Sequence, residues 1–242
     1  MIAGLAVFEA VFLACDPGSG VVLHLQDGER VECDAELATV VGDARALLLA
    51  ERTALNLLQR LSGVATRTAR FVSIVAGVAG VRILDTRKTT PGLRSLEKYA
   101  VRCGGGENHR SGLHDQAMIK ENHLALAGRA AGDAVAHLRA TLGPDVVLTC
   151  EAQDSDEAAA AVRGGADVVL LDNMGPEELA ALAPGLRALA AERGRPVELE
   201  ASGGITEETL LSVARAGVDR ISIGALTHSA PALDLSLYLE PA

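Results

Sequence analysis

Beyond residue 80 the chain alternates short β-like runs with alanine-rich helical runs, and this pattern constrains the fold most. The β-like runs are residues 81–84, 146–150, 168–171, 197–199 and 220–223, with a weaker one at 117–119. Between them lie helical stretches such as 155–163, 177–193 and 207–216. Strand–helix alternation at this spacing argues for a parallel α/β fold. Ala161-Val162-Arg163-Gly164-Gly165-Ala166-Asp167 and Ala214-Arg215-Ala216-Gly217-Val218-Asp219 repeat one design: a helix ends, glycine caps it and a strand follows. Polar or small residues sit at or just beyond the C-terminal ends of the strands: Asp85, Lys120, Glu151, Asp172, Glu200 with Ser202, and Gly224. In a (β/α) barrel those ends face one mouth. An open doubly wound sheet would also gather them, but its first-turn glycine fingerprint is absent, so the barrel is the preferred reading.

The first 40 residues read as a small α/β piece. Residues 2–14 are a helical stretch stopped by Asp16-Pro17-Gly18. The stretch contains Glu9 and lacks a basic leader, so it reads as a buried helix and not a signal peptide. Runs 21–25 and 30–33 flank Gln26-Asp27-Gly28-Glu29, a hairpin signal. Residues 43–61 carry an apolar stripe of Leu47, Ala50, Ala54, Leu55, Leu58 and Leu61 at helical spacing. Ser62-Gly63 is expected to break that helix before a second one at 64–75.

The 242 residues suit one large domain, or one plus a small one. Aromatic residues make up only 2%, so the core is aliphatic and a stacking platform for single-stranded nucleic acid is not expected. The net charge of −10 argues against a general nucleic-acid or anionic-membrane surface. Within it, residues 82–120 hold eight Lys/Arg against four Asp/Glu, including all three lysines, Lys88, Lys98 and Lys120. This basic island suits a small anionic substrate; a solvated helix face is the plain alternative. Cys15, Cys33, Cys103 and Cys150 show no metal-ligand spacing, and no apolar run has the length of a membrane span. Free thiols and a cytoplasmic location are expected.

Four groups of residues could carry chemistry. Ser202-Gly203-Gly204 and Gly224-Ala225 follow the last two strands, where barrels bind phosphate; glycine lets backbone amides approach the anion. Asp85-Thr86-Arg87-Lys88-Thr89-Thr90-Pro91-Gly92 sets two adjacent cations at a strand end, able to share an anion or simply to form a surface loop. Gly104-Gly105-Gly106-Glu107-Asn108-His109-Arg110 places a glycine turn before a His-Arg pair, and Lys120 follows an apolar strand. Glu151 and Asp172 stand at consecutive strand ends, where two carboxylates can share Mg²⁺ with substrate oxygens or pair with the basic island.

These segments carry a resemblance. Glu51-Arg52-Thr53-Ala54-Leu55-Asn56, Leu61-Ser62-Gly63, the 85–92 loop, Lys98-Tyr99-Ala100-Val101, the stretches 104–110 and 119–123, Leu171-Asp172-Asn173-Met174, and the stretches 200–205 and 224–229 resemble, in order, the carboxylating nicotinate-nucleotide pyrophosphorylase family, also called quinolinate phosphoribosyltransferase. The resemblance implies an N-terminal α/β sandwich at 1–54 and an α/β barrel at 55–233, with the tail 234–242 returning to the sandwich. It implies a homodimer, with quinolinate and phosphoribosyl pyrophosphate as substrates and nicotinate mononucleotide, pyrophosphate and CO₂ as products. By position, Arg87, His109, Arg110 and Lys120 resemble the pocket for the two quinolinate carboxylates. Arg52 resembles an arginine donated by the partner subunit, and Lys88 a contact to the phosphoribosyl donor. Glu151 and Asp172 match carboxylates near ribose and Mg²⁺, and Ser202, Gly203, Gly204, Gly224 and Ala225 a cradle for the 5′-phosphate. Lys120, Glu151 and Asp172 are the catalytic candidates.

Two departures accompany it. The resemblance begins after the family's first segment, including an acidic Gly-Asp stretch, so the small domain is expected to be shortened at its N-terminus. Thr149 stands where the family often has the first of two alternating glutamates, and Glu151 is kept. A diverged, non-catalytic relative, such as the paralogue associated with molybdenum transport, is the competing reading. A barrel aldolase using Lys120 as a Schiff-base nucleophile is a third.

Overall fold

The computed structural model describes residues 1–241. Packing separates two units. The first joins Met1–Val72, Lys88–Asn108 and the segment from Gly224 onward; the second joins Ser73–Arg87 and His109–Ile223.

The first unit begins with helix α1 (Leu5–Cys15), which buries Leu5, Phe8 and Phe12. Its start is held by Asp27, whose Oδ1 accepts from the amides of Gly4 at 2.9 Å and Leu5 at 3.0 Å. Asp27-Gly28 is therefore not the hairpin turn that the sequence suggests. The antiparallel pair is β1 (Gly20–Leu23) with β2 (Ala38–Val41), and residues 30–33 form no strand. The orphaned amides of a helix start need an acceptor, and a carboxylate also suits the positive end of the helix dipole.

Helix α2 (Ala44–Val75) runs for 32 residues, straight through the break expected at Ser62-Gly63. Ser62 Oγ accepts from the Ala3 amide at 3.1 Å and donates to the Ala3 carbonyl at 3.3 Å. Gly63 admits another backbone, since a Cβ there would lie 2.0 Å from the Pro231 carbonyl oxygen. Both residues that read as helix breakers serve close packing. The boundary between 54 and 55 falls inside this helix. Its stripe from Leu47 to Leu58 packs with Leu5, Phe8 and Phe12, and Leu233, Leu235 and Leu237 lie against that cluster. Leu61, Val64 and Ala65 pack with Ala100 and Val101 of α3 (Arg94–Cys103).

The second unit is a parallel sheet with helices. Its strands are β3 (Arg82–Leu84), β4 (Ala117–Ile119), β5 (Leu148–Ala152), β6 (Val168–Asp172), β7 (Glu198–Ser202) and β8 (Arg220–Ser222). Its helices are α4 (Glu121–Ala127), α5 (Ala131–Leu142), α6 (Ser155–Gly164), α7 (Pro176–Glu192) and α8 (Glu207–Arg215). The strand order is β3-β8-β7-β6-β5-β4. From β4 to β8 each strand lies beside its predecessor, so the order never reverses as it does in a doubly wound sheet. This is the winding of an α/β barrel, with β3 and β4 as its two sheet edges.

Register assigns the faces, because side chains alternate along a strand. One face carries Cys150, Val169, Leu171, Leu199, Ala201 and Ile221, all buried and apolar. The other aligns Met118 with Thr149, Glu151 with Leu170, Asp172 with Ser202, and Glu200 with both Leu170 and Arg220. The polar candidates on the strands thus share one face. No helix among the described residues is long and apolar enough to cross a membrane.

Candidate active site

Lys120 is the first residue beyond β4, on the same alternation as Met118. Its ammonium pairs with Glu151 Oε2 on β5. Thr149, two residues before Glu151 and fully buried, accepts from the Gln116 side-chain amide. Asp172 ends β6, opposite Ser202 in register, and accepts from the Asn173 side-chain amide at 2.8 Å. The strand ends therefore hold one cation and two carboxylates on the same face of adjacent strands.

Arg110 reaches that same column of side chains, with Nη2 3.3 Å from Met118 Sδ and Nη1 3.4 Å from the Gln116 carbonyl. Both acceptors are neutral. Burial lowers the Arg110 pKa, and the like charge of Arg87 lowers it further, against an opposing pull from Asp115. Asp115 is itself held by the Ser111 and Gly112 amides.

His109, the residue before Arg110, is buried. Its amide donates to Asp85 Oδ1 at 2.8 Å, its Nδ1 accepts from the Arg110 amide at 2.7 Å, and its Nε2 is 3.2 Å from Glu200 Oε1. Both ring nitrogens thus face protein groups. Glu200 in turn is 3.0 Å from Arg220 Nε. Burial pushes the Glu200 carboxyl up, but contact with His109, the charge of Arg220 and the nearby Ser222 side chain together hold it below its usual value.

The Ser202-Gly203-Gly204 turn is shaped by its neighbour. Gly203 has φ 92°, and a Cβ there would lie 2.2 Å from Asn173 Oδ1. The Asn173 amide donates to the Ser202 carbonyl at 2.7 Å, so the loops after β6 and β7 are tied together. The chain then enters α8, whose start is closed by a Thr206–Thr209 capping box.

The remaining candidates belong to the first unit. Lys88 is exposed, and its stem approaches Gly224: a Cβ on that glycine would lie 3.1 Å from Lys88 Cδ. Gly224 and Ala225 open a short helical turn, Ala225–His228. Arg52 lies on α2 with a side chain 74% exposed, bonded to its neighbour Glu51 at 2.6 Å.

Comparison with known proteins shows the family. Residues 64–238 match the family model for the quinolinate phosphoribosyl transferase C-terminal domain, and residues 1–62 match that for the N-terminal domain. The chain belongs to the quinolinate phosphoribosyltransferase family. It is 42% identical to the probable nicotinate-nucleotide pyrophosphorylase [carboxylating] of Bacillus subtilis, over 98% of this chain and 79% of that protein. It is 43% identical to the Mycobacterium leprae nicotinate-nucleotide pyrophosphorylase [carboxylating], over 92% and 76%. Among solved structures, NadC from Streptococcus pyogenes superposes with a TM-score of 0.87 at 38% identity, covering 99% of this chain and 83% of that one.

As a quinolinate phosphoribosyltransferase fold, the structure also shows what the residue patterns left unread. The buried His109–Glu200–Arg220 cluster is one case. Alternation offered a signal for it: Glu198, Glu200 and Ser202 share one face of β7, as Arg220 and Ser222 do on β8. A second case, in the first unit, is Arg60 with Glu97, which lie 37 residues apart in sequence and carry no local signature.

Proposed function

We propose that this chain transfers a phosphoribosyl group from phosphoribosyl pyrophosphate to quinolinate with loss of CO₂. The observation that carries this reading is the placement of Arg110, whose Nη2 lies 3.3 Å from Met118 Sδ in the side-chain column that ends in Lys120, with Arg87 a further cation of the same unit. A dicarboxylate needs such a cluster of cations. Arg87, Arg110 and Lys120 hold the two carboxylates, and buried His109 fixes the Arg110 backbone. Lys88 contacts the phosphoribosyl donor, and the Ser202-Gly203-Gly204 and Gly224-Ala225 turns receive its 5′-phosphate.

The quinolinate nitrogen forms a bond to C1 of ribose as the bond from C1 to the pyrophosphate oxygen breaks. Positive charge builds at C1, where Glu151 and Asp172 oppose it. Loss of CO₂ then leaves an electron pair on the ring carbon, which takes a proton, and the surrounding cations stabilise that charge. Glu151 and Asp172 supply hard oxygen donors on one face of adjacent strands, a set that fits Mg²⁺ with its other positions filled by substrate and water. When bound there, the ion neutralises charge on the departing pyrophosphate.

We also infer a homodimer. Arg52 is exposed on the same stretch of α2 as Leu48, 57% exposed, and Leu49, 72% exposed. A second copy covering these leucines would carry Arg52 to its neighbour's substrate. The four free thiols, two of them exposed, suit a reducing cytoplasm.

The test is formation of nicotinate mononucleotide from quinolinate, phosphoribosyl pyrophosphate and Mg²⁺ by the purified chain. Arg110→Ala should lower kcat/KM for quinolinate by about 10²–10³-fold while the protein stays folded. Unchanged kinetics in that variant refute the assigned pocket.

A further inference from the structure

The loop that carries Lys88 is anchored from beneath by a buried polar network. Glu97 on α3 is completely buried. Its Oε1 accepts from Arg60 Nε at 3.0 Å, from Arg60 Nη2 at 2.8 Å and from the Thr90 hydroxyl at 2.7 Å, and its Oε2 accepts from the Thr90 amide at 3.0 Å. Arg60 then reaches onward. Its Nη1 donates to the Ala230 carbonyl at 2.8 Å and its Nη2 donates to the Thr227 carbonyl. Thr227, also fully buried, donates its hydroxyl to the Lys88 carbonyl at 2.8 Å and approaches the Gly224 carbonyl at 3.1 Å. The chain therefore runs from α2 and α3 to the backbone of Lys88 on one side and to the Gly224–His228 turn on the other.

We propose that Arg60 and Thr227 are positioning residues that hold Lys88 and the Gly224-Ala225 turn as one preformed unit for the phosphoribosyl donor. Neither touches substrate. Arg60 fixes the turn, with its own orientation fixed by Glu97, while Thr227 bridges the turn to Lys88. A guanidinium suits the first task because its planar fork bonds a carboxylate and two carbonyls at once, which a lysine ammonium cannot do with the same geometry. The inference rests on the reading of Lys88 as a contact to the phosphoribosyl donor. It goes beyond that reading by placing control of donor affinity in residues remote from the ligand.

Steady-state kinetics with both substrates provide the test, on the full chain with Mg²⁺. Thr227→Val keeps the shape and removes the hydroxyl. It should raise KM for phosphoribosyl pyrophosphate about 3- to 10-fold, the scale of one lost hydrogen bond. KM for quinolinate should stay unchanged, and Thr227→Ser should restore the donor KM. Arg60→Lys, at a half-buried position, should move the same constant in the same direction and serves if Thr227→Val fails to fold. Lys88→Ala distinguishes the two readings. If Lys88→Ala leaves the donor KM unchanged, the role of Lys88 falls and the inference with it. If Lys88→Ala raises it while Thr227→Val and Arg60→Lys raise both KM values alike, or neither, Lys88 keeps its role and the positioning inference is overturned. In the double variant, Thr227→Val should add little to Lys88→Ala, because it acts through that residue.

Discussion

Glu97 in the first unit and Glu200 in the second are both fully buried carboxylates with an arginine beside them, but they are held in different ways. Glu97 is surrounded by aligned donors: three bonds to Oε1 and one to Oε2. Glu200 sits 3.2 Å from His109 Nε2 and 3.0 Å from Arg220 Nε, within ion-pair range, yet these contacts lie off the hydrogen-bond direction. The first arrangement fixes geometry. The second gathers charge: Arg220 also reaches the half-exposed Glu198, which Arg82 meets as well. Directed bonds fix one position of the loop that carries Lys88. A charge cluster suits the polar face of the sheet, where Glu200 and Arg220 are aligned in register.

The widest separation should come from removing one partner at each glutamate. Arg60→Ala strips Glu97 of its cation and should cost about 3–5 kcal/mol of stability, the scale for breaking a buried pair. His109→Ala leaves Arg220 beside Glu200 and should cost only about 1–3 kcal/mol. Denaturant unfolding at neutral pH measures both, and equal losses would abolish the contrast.

Acid should separate them next. Glu200 is held below its usual value, so its charged form is favoured in the folded state. Its stabilising contribution is complete above its usual pKa of 4.5 and is lost as pH falls through the lower folded value. The stability of the wild type should therefore exceed that of Glu200→Gln at neutral pH, and the gap should narrow only as pH falls below 4.5 and through the lower folded value. A gap that stays constant with pH would show that Glu200 contributes by shape alone.

The barrel was legible in the sequence because its signals are local. Short apolar runs, glycine-capped helices and polar strand ends all fall within a few residues of one another, and the same signals place Lys120, Glu151, Asp172 and Ser202 at or near strand ends. The first unit was harder to read because its local signals serve distant partners. Ser62-Gly63 reads as a helix end, but it is where α2 meets Ala3 and Pro231. Asp27-Gly28 reads as a hairpin turn, but Asp27 serves the start of α1. Buried pairs such as Arg60 and Glu97 are set by tertiary packing, and no periodicity announces them.

Asp27 supplies the smallest expected effect and extends the contrast within the first unit. Its Oδ2 accepts from the Tyr99 hydroxyl at 2.7 Å, while Oδ1 serves the two amides of α1. Tyr99→Phe removes one neutral donor and leaves the carboxylate bonded, so the loss should be about 1 kcal/mol. The bond to Asp27, then burial, pushes the Tyr99 phenol above its ordinary value of 10.0. The stabilisation is therefore complete below that value and fades only as pH rises through the higher folded one. Between pH 6 and 9 the difference between wild type and Tyr99→Phe should thus be flat, in thermal or denaturant unfolding, on the order of that same 1 kcal/mol. A loss as large as that of Arg60→Ala would mean that α1 depends on Tyr99 itself, and that directed bonds in this unit act as one cooperative network and not as separate ties.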